Sequence, residues 1–156
     1  MSEVLDFGRS DPRNMPGHFF YGALKLDYPT AIRADVEKQN YSVCPRFWYL
    51  DAYFDCARCH QQFCFSAGEQ QTWFEEYWFW VDAFPKHCCS CRQELRELKT
   101  IRQRYDAIVA DTMKQGSTRN KRELASLIDQ LYELGGELPP RINKNRRILA
   151  KHLEGR

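Results

Sequence analysis

The sequence predicts a small α+β domain that is stabilised by a metal, with a β-hairpin and a helix at its core and a helical extension at its C-terminus. Two C-x-x-C pairs, Cys56–Cys59 and Cys88–Cys91, enclose 28 residues. Fourteen of the 22 aromatic residues lie between Phe47 and Phe84. A helical apolar repeat begins at the second pair, and such a repeat is typical of an amphipathic helix.

The cysteine spacing is that of a zinc site. Structural Zn²⁺ takes four tetrahedral ligands, with sulfur at about 2.3 Å, and a two-residue spacer lets one tight turn present two thiolates. One such pair is a weak signal, whereas two pairs in one small domain are a specific one. Four cysteine ligands leave no open coordination position, so we expect one structural Zn²⁺ rather than a catalytic ion. The predicted ligands are Cys56, Cys59, Cys88 and Cys91.

Three cysteines remain outside that set: Cys44, Cys64 and Cys89. In a reducing compartment a free cysteine behaves as a small hydrophobic residue, so these three cysteines need not form disulfides. Cys89, His60 and His87 each lie next to a predicted ligand and could replace it. We expect cysteine at all four positions, with Cys89 pointing away from the metal.

The composition is that of an ordinary soluble domain. The chain has 156 residues, of which 43% are hydrophobic and 28% charged, and its formal net charge is +2. Residues 1–91 carry 8 lysines and arginines against 12 acidic residues, whereas residues 92–156 carry 15 against 9. Attraction for polyanions is therefore expected only from the C-terminal part. Because the sequence lacks a long apolar run and a signal-peptide pattern, we expect a cytoplasmic protein.

The order of patterns divides the chain into three predicted segments. They are an irregular N-terminal arm (1–43), a zinc-binding core with a long helix (44–114) and a helical hairpin tail (115–156). Glycines and prolines interrupt the arm, where we predict one short helix from Thr30 to Gln39 with Thr30 as its N-cap.

The core opens with a predicted hairpin. The β-prone run Phe47–Leu50 leads towards the first cysteine pair, and Phe63–Phe65 returns from it. We interpret the dense aromatic residues as the small core that such a domain needs. The alternative is a platform on which nucleic-acid bases stack, but the surrounding charge is acidic.

Two helices complete the predicted core. The capping box Ser66–Glu69 predicts a helix that runs to Pro85. On one side of it lie Trp73, Tyr77 and Trp80. A longer helix starts at Cys91 and carries an apolar stripe to Met113. A cysteine knuckle on a hairpin followed by a second pair at a helix start is treble-clef geometry, whereas a plain zinc ribbon places its second pair on another hairpin.

The tail is predicted to be a helical hairpin. After a linker at residues 115–118, Asn120 is the predicted N-cap of a helix that Gly135 and Gly136 end. Pro139 and Pro140 then start the last helix, which runs to about residue 153.

Several motifs together resemble a known family. They are Ala34–Gln39, Tyr49, Asp51, Phe54, Cys56–Cys59, Ser66–Glu75 and Cys88–Arg92. Over residues 34–98 this pattern is similar to the bacterial probable zinc-ribbon (treble-clef-like) domain family. The resemblance implies zinc on the four cysteines named above and carries no established activity. The chain departs from the family at His60, where glycine is common, and at Gly68 in the capping box.

These observations favour a non-enzymatic interaction or adaptor module, whose surplus aromatic residues would anchor a protein partner. The sequence has no Gly-rich phosphate loop, no G-x-S-x-G motif and no His–Glu pair at metal spacing, so we do not expect an enzyme. A remote alternative is a treble-clef nuclease, because some of these place a catalytic histidine on the hairpin and only His60 has that position.

The main alternative is a nucleic-acid-binding protein that uses its basic last helix. The candidate residues are Arg141, Lys144, Arg146, Arg147 and Lys151. A basic helix can contact phosphates without reading sequence, although a run of charge is more often a solvated helix face. Salt separates the two functions, because phosphate binding weakens steeply with salt and aromatic docking does not.

Overall fold

A computed structural model of the chain describes residues 5–155. The chain divides into two units, Met1–Cys89 and Ser90–Arg156, which we call the N-terminal and C-terminal units. The strands are β1 (Lys25–Arg33), β2 (Trp48–Asp55) and β3 (Gln62–Phe65), and the α-helices are α1 (Ala67–Gln71), α2 (Cys89–Gln115), α3 (Thr118–Gly135) and α4 (Pro140–Glu154). Within residues 5–155, none of the helices combines the length and the apolar composition that a membrane span requires.

The N-terminal unit is built on an antiparallel sheet with the strand order β1-β2-β3. The central strand β2 is the most buried of the three, and its Tyr49 and Leu50 are fully buried. β2 pairs with β3 up to the Asp55–Gln62 pair. The predicted hairpin is therefore present, and Cys56 comes directly after its first strand.

The first strand, β1, occupies a segment for which the sequence predicts a helix, so the prediction of a helix from Thr30 to Gln39 is wrong. Thr30 caps no helix, because its hydroxyl donates to the carbonyl of Asp27 at 2.6 Å and accepts from the amide of Asp51 at 2.9 Å. These bonds lie at a register irregularity where β1 pairs with the buried strand β2. Helical structure is limited here to a single 3₁₀ turn at Val36–Lys38.

Aromatic side chains form the core of the N-terminal unit, as predicted. Tyr49, Phe65 and Phe74 are fully buried. The ring of Phe74 lies 5.9 Å from that of Tyr49 and 6.3 Å from that of Phe65. From the N-terminal arm, Tyr21 stacks on Phe84 with a centroid distance of 5.3 Å. The arm is thus attached to the core through its aromatic residues.

The helix after the capping box is shorter than predicted. Ser66 caps α1 as expected, and its hydroxyl accepts from the amide of Glu69 at 3.1 Å. α1 then passes into a π-helical turn at Thr72–Glu76, after which Trp78 adopts a left-handed φ of 55°. A right-handed helix cannot continue through a left-handed residue. The predicted continuation to Pro85 is therefore wrong.

The C-terminal unit is helical, and α3 packs against α4. Its core contains Tyr105, Leu124, Ile128, Leu131, Leu138, Ile142 and Leu149. α3 ends at Gly135 and α4 starts at Pro140, as predicted. The α+β fold class with a C-terminal helical extension is confirmed, while the boundaries at residues 43 and 114 stay predictions.

The start of α3 differs from the prediction by one turn. Ser117 is the N-cap, and its hydroxyl accepts from the amide of Asn120 at 3.2 Å. Asn120 is therefore the third helical residue and not the predicted cap. Both residue types are good caps, and the serine is the one whose oxygen reaches the free amides of the first turn.

Candidate functional site

The first cysteine pair lies on the tight turn that joins β2 to β3. The amide of Cys56 donates to the carbonyl of Gln61 at 2.9 Å, and the amide of His60 donates to the carbonyl of Cys56 at 2.9 Å. Cys56 is buried, whereas Cys59 is exposed. Two backbone hydrogen bonds therefore close the knuckle.

The second pair lies at the start of α2. Cys88 directly precedes the helix and Cys91 lies in its first turn. The segment before the helix is bonded to the knuckle, because the amide of Ala57 donates to the carbonyl of Lys86 at 2.9 Å. The unpaired amides and the dipole of a helix N-terminus stabilise thiolates at such positions. This arrangement confirms the predicted treble-clef geometry.

The four predicted ligands form one cluster. The ligand sulfurs of Cys56, Cys59, Cys88 and Cys91 all lie within 4.8 Å of one another. Four sulfurs arranged tetrahedrally around a zinc at about 2.3 Å would be about 3.8 Å apart. The sulfurs of Cys59 and Cys88 are 3.8 Å apart. The cluster therefore fits one zinc ion, which would serve as a structural cross-link between the hairpin and the helix start.

Backbone amides make the first thiol acidic. Burial raises the pKa of Cys56, but hydrogen bonds from the amides of Cys59, Cys88 and Arg58 outweigh burial and lower this pKa to about 5. One of these bonds joins the amide of Cys88 to the sulfur of Cys56 at 3.3 Å. The thiolate is the form that binds metals, so the turn favours the state that zinc requires.

The other metal-binding candidates stand outside the cluster. Among the described residues, the four-cysteine group includes neither Cys89, which is exposed, nor the two neighbouring histidines. His60 is exposed, and the buried Nδ1 of His87 has no hydrogen-bond partner among residues 5–155. The assignment of the metal to cysteine alone is therefore supported.

The backbone at His60 is left-handed, with a φ of 61°. A residue with a Cβ is strained there by roughly 1–3 kcal/mol, whereas glycine is not. We expect His60→Gly to leave the zinc-loaded protein as stable or to stabilise it by up to about 1 kcal/mol, because glycine also makes the unfolded chain more flexible. Urea unfolding of the zinc-loaded protein measures the difference.

Gln61→Gly is the matched control for His60→Gly. Gln61 is the next residue of the same turn and has no positive φ, so glycine there should cost roughly 0.5–1 kcal/mol. Equal destabilisation by the two substitutions would mean that the left-handed φ of His60 carries no strain.

Sequence reasoning missed two residues that support the hairpin. Gln70 is buried, and its Nε2 donates to the carbonyl of Leu50 at 2.6 Å and to that of Phe65 at 2.8 Å. The carboxylate of Asp51 accepts from the amide of Ala67 at 2.7 Å. These bonds attach α1 to β2 and β3, the strands on either side of the first pair. The signal was the family pattern, which includes Asp51 and the segment Ser66–Glu75 but assigned no role to Asp51 or Gln70.

Three of the five predicted basic residues share one face of α4. Lys144, Arg147 and Lys151 line an open cavity of about 390 Å³, which the acidic Glu137 also lines. Arg141 is exposed but does not line this cavity. Arg146 forms an ion pair of 3.0 Å with Asp129 and lies over the ring of Tyr132.

Four consecutive aromatic residues are exposed after the π-helical turn, and we call them the aromatic strip. Tyr77, Trp78, Phe79 and Trp80 are 60%, 63%, 44% and 42% exposed. The sequence analysis interprets these four residues as part of the aromatic core. That interpretation is wrong for the strip, because its side chains are exposed. Several exposed apolar side chains close together mark an interaction site more often than a lone exposed residue does, and the rings of Tyr77 and Phe79 lie 5.6 Å apart.

Comparison with known proteins agrees with the geometry of the metal site. Residues 50–100 match the family model described as a probable treble clef domain, and this range includes all four clustered cysteines. No curated protein and no solved structure matches the chain significantly. The family resemblance of the sequence motifs is confirmed over residues 50–100, and the four clustered cysteines in this range can hold one metal ion, consistent with a treble-clef zinc site.

Proposed function

We propose that the protein is a non-enzymatic adaptor, in which the zinc-binding domain holds the aromatic strip as a docking surface for another protein. The observation that carries this proposal is the exposure of four consecutive aromatic side chains. Tryptophan and tyrosine are enriched among the residues that contribute most to binding. A metal site with four cysteine ligands has no position for a substrate, which supports a binding role rather than catalysis.

The backbone beneath the strip is strained at an exposed residue. Trp78 has a φ of 55°, and a bulky side chain in this region is a clear outlier. The residue follows the π-helical turn Thr72–Glu76, a structure that is common at functional sites. Strain that burial does not explain supports a role for the exposed ring.

Local contacts hold the strip in a fixed arrangement. The amide of Phe79 donates to the carbonyl of Trp73 at 2.9 Å. The indole N–H of Trp80 donates to the carboxylate of Asp82 at 2.8 Å. The rings of Tyr77 and Phe79 lie 5.6 Å apart. Because these contacts position Tyr77, Phe79 and Trp80, a partner would bind them with a smaller loss of side-chain entropy.

The charge beside the strip indicates the chemistry of the partner. Exposed Glu76 precedes the strip, and no lysine or arginine lies within it. Asp82 follows the strip, but its carboxylate is already paired with Arg46 at 2.7 Å. The 3₁₀ turn Val36–Lys38 packs against the π-helical turn and contributes one exposed acidic and one exposed basic residue, Glu37 and Lys38. Aromatic faces also attract ammonium and guanidinium groups. A peptide segment with basic residues next to large apolar ones fits this surface best.

Trp78→Gly separates binding from folding. Glycine removes the ring and relieves the left-handed strain, so we expect unchanged or higher thermal stability. Partner binding should weaken about 30-fold, because a central tryptophan contributes roughly 2 kcal/mol or more. The zinc-loaded protein would first select ligands from a displayed random-peptide library, and calorimetry would then compare the two forms.

Leu24→Ser is the matched control for this experiment. Leu24 is as exposed as Trp78, at 63%, but lies directly before β1. It should alter neither the selection nor the affinity. The docking proposal is wrong if no basic and apolar peptides are enriched, or if the selected peptides bind the Trp78→Gly protein equally well.

A second candidate function is phosphate binding by α4, since Lys144, Arg147 and Lys151 share one face. Among the described residues, none of these three has an ion-pair partner. Three phosphate contacts would give a slope of about −3 for log K against log salt on double-stranded DNA. This candidate therefore makes a quantitative prediction that aromatic docking does not share.

Arg147→Gln should reduce that slope by about 1, because it removes one phosphate contact. Arg141→Gln is the control, since Arg141 is an exposed arginine of the same helix outside the cavity. Fluorescence anisotropy with labelled DNA and RNA across a salt series measures both variants. Absence of binding at low salt, or an equal loss in the two variants, would exclude this face as a nucleic-acid site.

A further inference from the structure

A second cavity lies in the N-terminal unit, between the arm and the edge of the sheet. It has a volume of about 310 Å³, which is at the lower end of the range for small-molecule pockets. The lining residues with functional groups or rings are Phe7, Arg9, Ser10, Arg33, Phe47 and Trp48. It shares no lining residue with the metal cluster or the aromatic strip.

Two arginines give this cavity a positive charge. Arg9 comes from a 3₁₀ turn of the arm, and Arg33 comes from the end of β1. Within residues 5–155 neither guanidinium has a carboxylate partner, and no acidic residue lines the cavity. The surrounding residues 1–91 carry more acidic than basic side chains. The lining of the cavity therefore contains two positive side chains and no negative one.

Aromatic rings form the apolar part of the cavity lining. Phe7 is buried and packs edge-on against Trp48, with a centroid distance of 5.2 Å and an interplanar angle of 85°. The guanidinium of Arg33 lies 5.9 Å from the centroid of Trp48. A planar apolar group could contact these rings while its acidic group meets the guanidinium, which binds carboxylates and phosphates through two parallel hydrogen bonds.

We infer that this cavity binds a small planar organic anion, a molecule with an aromatic ring and one carboxylate or phosphate group. Arg9 and Arg33 bind the acidic group from two sides, and the hydroxyl of Ser10 provides a further hydrogen bond. The ring lies against Phe7 and Trp48. The volume admits one such molecule but no polymer, so the ligand class differs from the nucleic acid considered for α4.

The test uses the full-length, zinc-loaded protein with phenyl phosphate and benzoate as probes. Benzyl alcohol is the control that has the ring but no charge. Inorganic phosphate is the control that has the charge but no ring. We expect the indole N–H signal of Trp48, assigned with Trp48→Phe, to shift in a ¹H–¹⁵N spectrum with either aromatic anion. Each aromatic anion should bind about tenfold or more tightly than its counterparts, because those lack either the charge-assisted hydrogen bonds or the ring contact.

Arg33→Gln and Arg9→Gln should each weaken phenyl phosphate binding about tenfold. Lys25→Gln is the control, because Lys25 is an exposed cation of the same strand that lies over Tyr53, outside the cavity. Three results would overturn the inference. They are an unchanged Trp48 signal with both anions, equal affinity for inorganic phosphate and phenyl phosphate, and an equal loss in the Lys25→Gln protein.

Discussion

Cys56→Ser is expected to unfold the aromatic core of the N-terminal unit. In small cysteine-rich domains the free energy of zinc binding, about 10 kcal/mol or more, is also free energy of folding. The total stability of a domain is about 5–15 kcal/mol, so losing this contribution leaves little or nothing. The near-UV circular dichroism of the protein, which reports the packed rings around Phe65 and Phe74, should be lost.

Removal of the metal should reproduce the effect of the substitution. A strong chelator added to the wild-type protein should abolish the same near-UV signal, and zinc added back should restore it. Elemental analysis should find one zinc per wild-type chain and less in the Cys56→Ser and Cys91→Ser proteins.

Cys89→Ser is the matched control, because Cys89 lies between two predicted ligands in sequence but is exposed and outside the cluster. It should keep the zinc content and the dichroism of the wild type. An unchanged near-UV spectrum in either ligand variant would contradict a structural role of the metal. Loss of zinc from the Cys89→Ser protein would show that the ligand set is wrong.

The metal site could be predicted because its signals are local in sequence. Each C-x-x-C pair is complete within four residues. The neighbouring sequence patterns predict a hairpin turn at the first pair and a helix start at the second. The capping role of Ser66 and the start of the long helix near Cys91 were readable for the same reason. Only the approach of the two pairs required the three-dimensional structure.

The strand β1 could not be predicted because its stability comes from a distant partner. Asp27 pairs with Asp51, which lies 24 residues further along the chain. The burial of β1 shows no alternation, since most of its residues are half-buried. The side chain of Thr30 bonds to backbone groups on both strands, and nothing within ten residues of it in sequence indicates this.

The sequence analysis placed the aromatic strip in the core because it assumed that one regular α-helix runs from the capping box to Pro85. Trp73, Tyr77 and Trp80 are spaced at four and three residues, which puts them on one side of an α-helix. The π-helical turn Thr72–Glu76 inserts an extra residue into that spacing. Trp73 therefore stays half-buried, whereas the two later rings are exposed. The spacing of apolar residues in the sequence does not indicate where an α-helix passes into a π-helical turn.

Gln70→Leu should have the second-largest effect on stability. Leucine has a similar volume but donates no hydrogen bond, so the buried carbonyls of Leu50 and Phe65 would lose the side-chain donor that they share. Each buried group left unsatisfied costs roughly 1–3 kcal/mol, so we expect a loss of about 2–4 kcal/mol. Urea unfolding of the zinc-loaded protein, followed by tryptophan fluorescence, measures the change.

Gln71→Leu separates this effect from a general intolerance of leucine in α1. Gln71 is the next residue of the helix, is only half-buried, and donates to Glu75 at 3.3 Å. Its substitution should cost less than about 1 kcal/mol, because surface changes away from buried polar groups are usually small. Gln70→Leu should also speed the transfer of zinc to a chelator, because Gln70 joins the two strands that support the Cys56–Cys59 turn. If both variants lose equal stability and release zinc at the wild-type rate, Gln70 does not support the metal site.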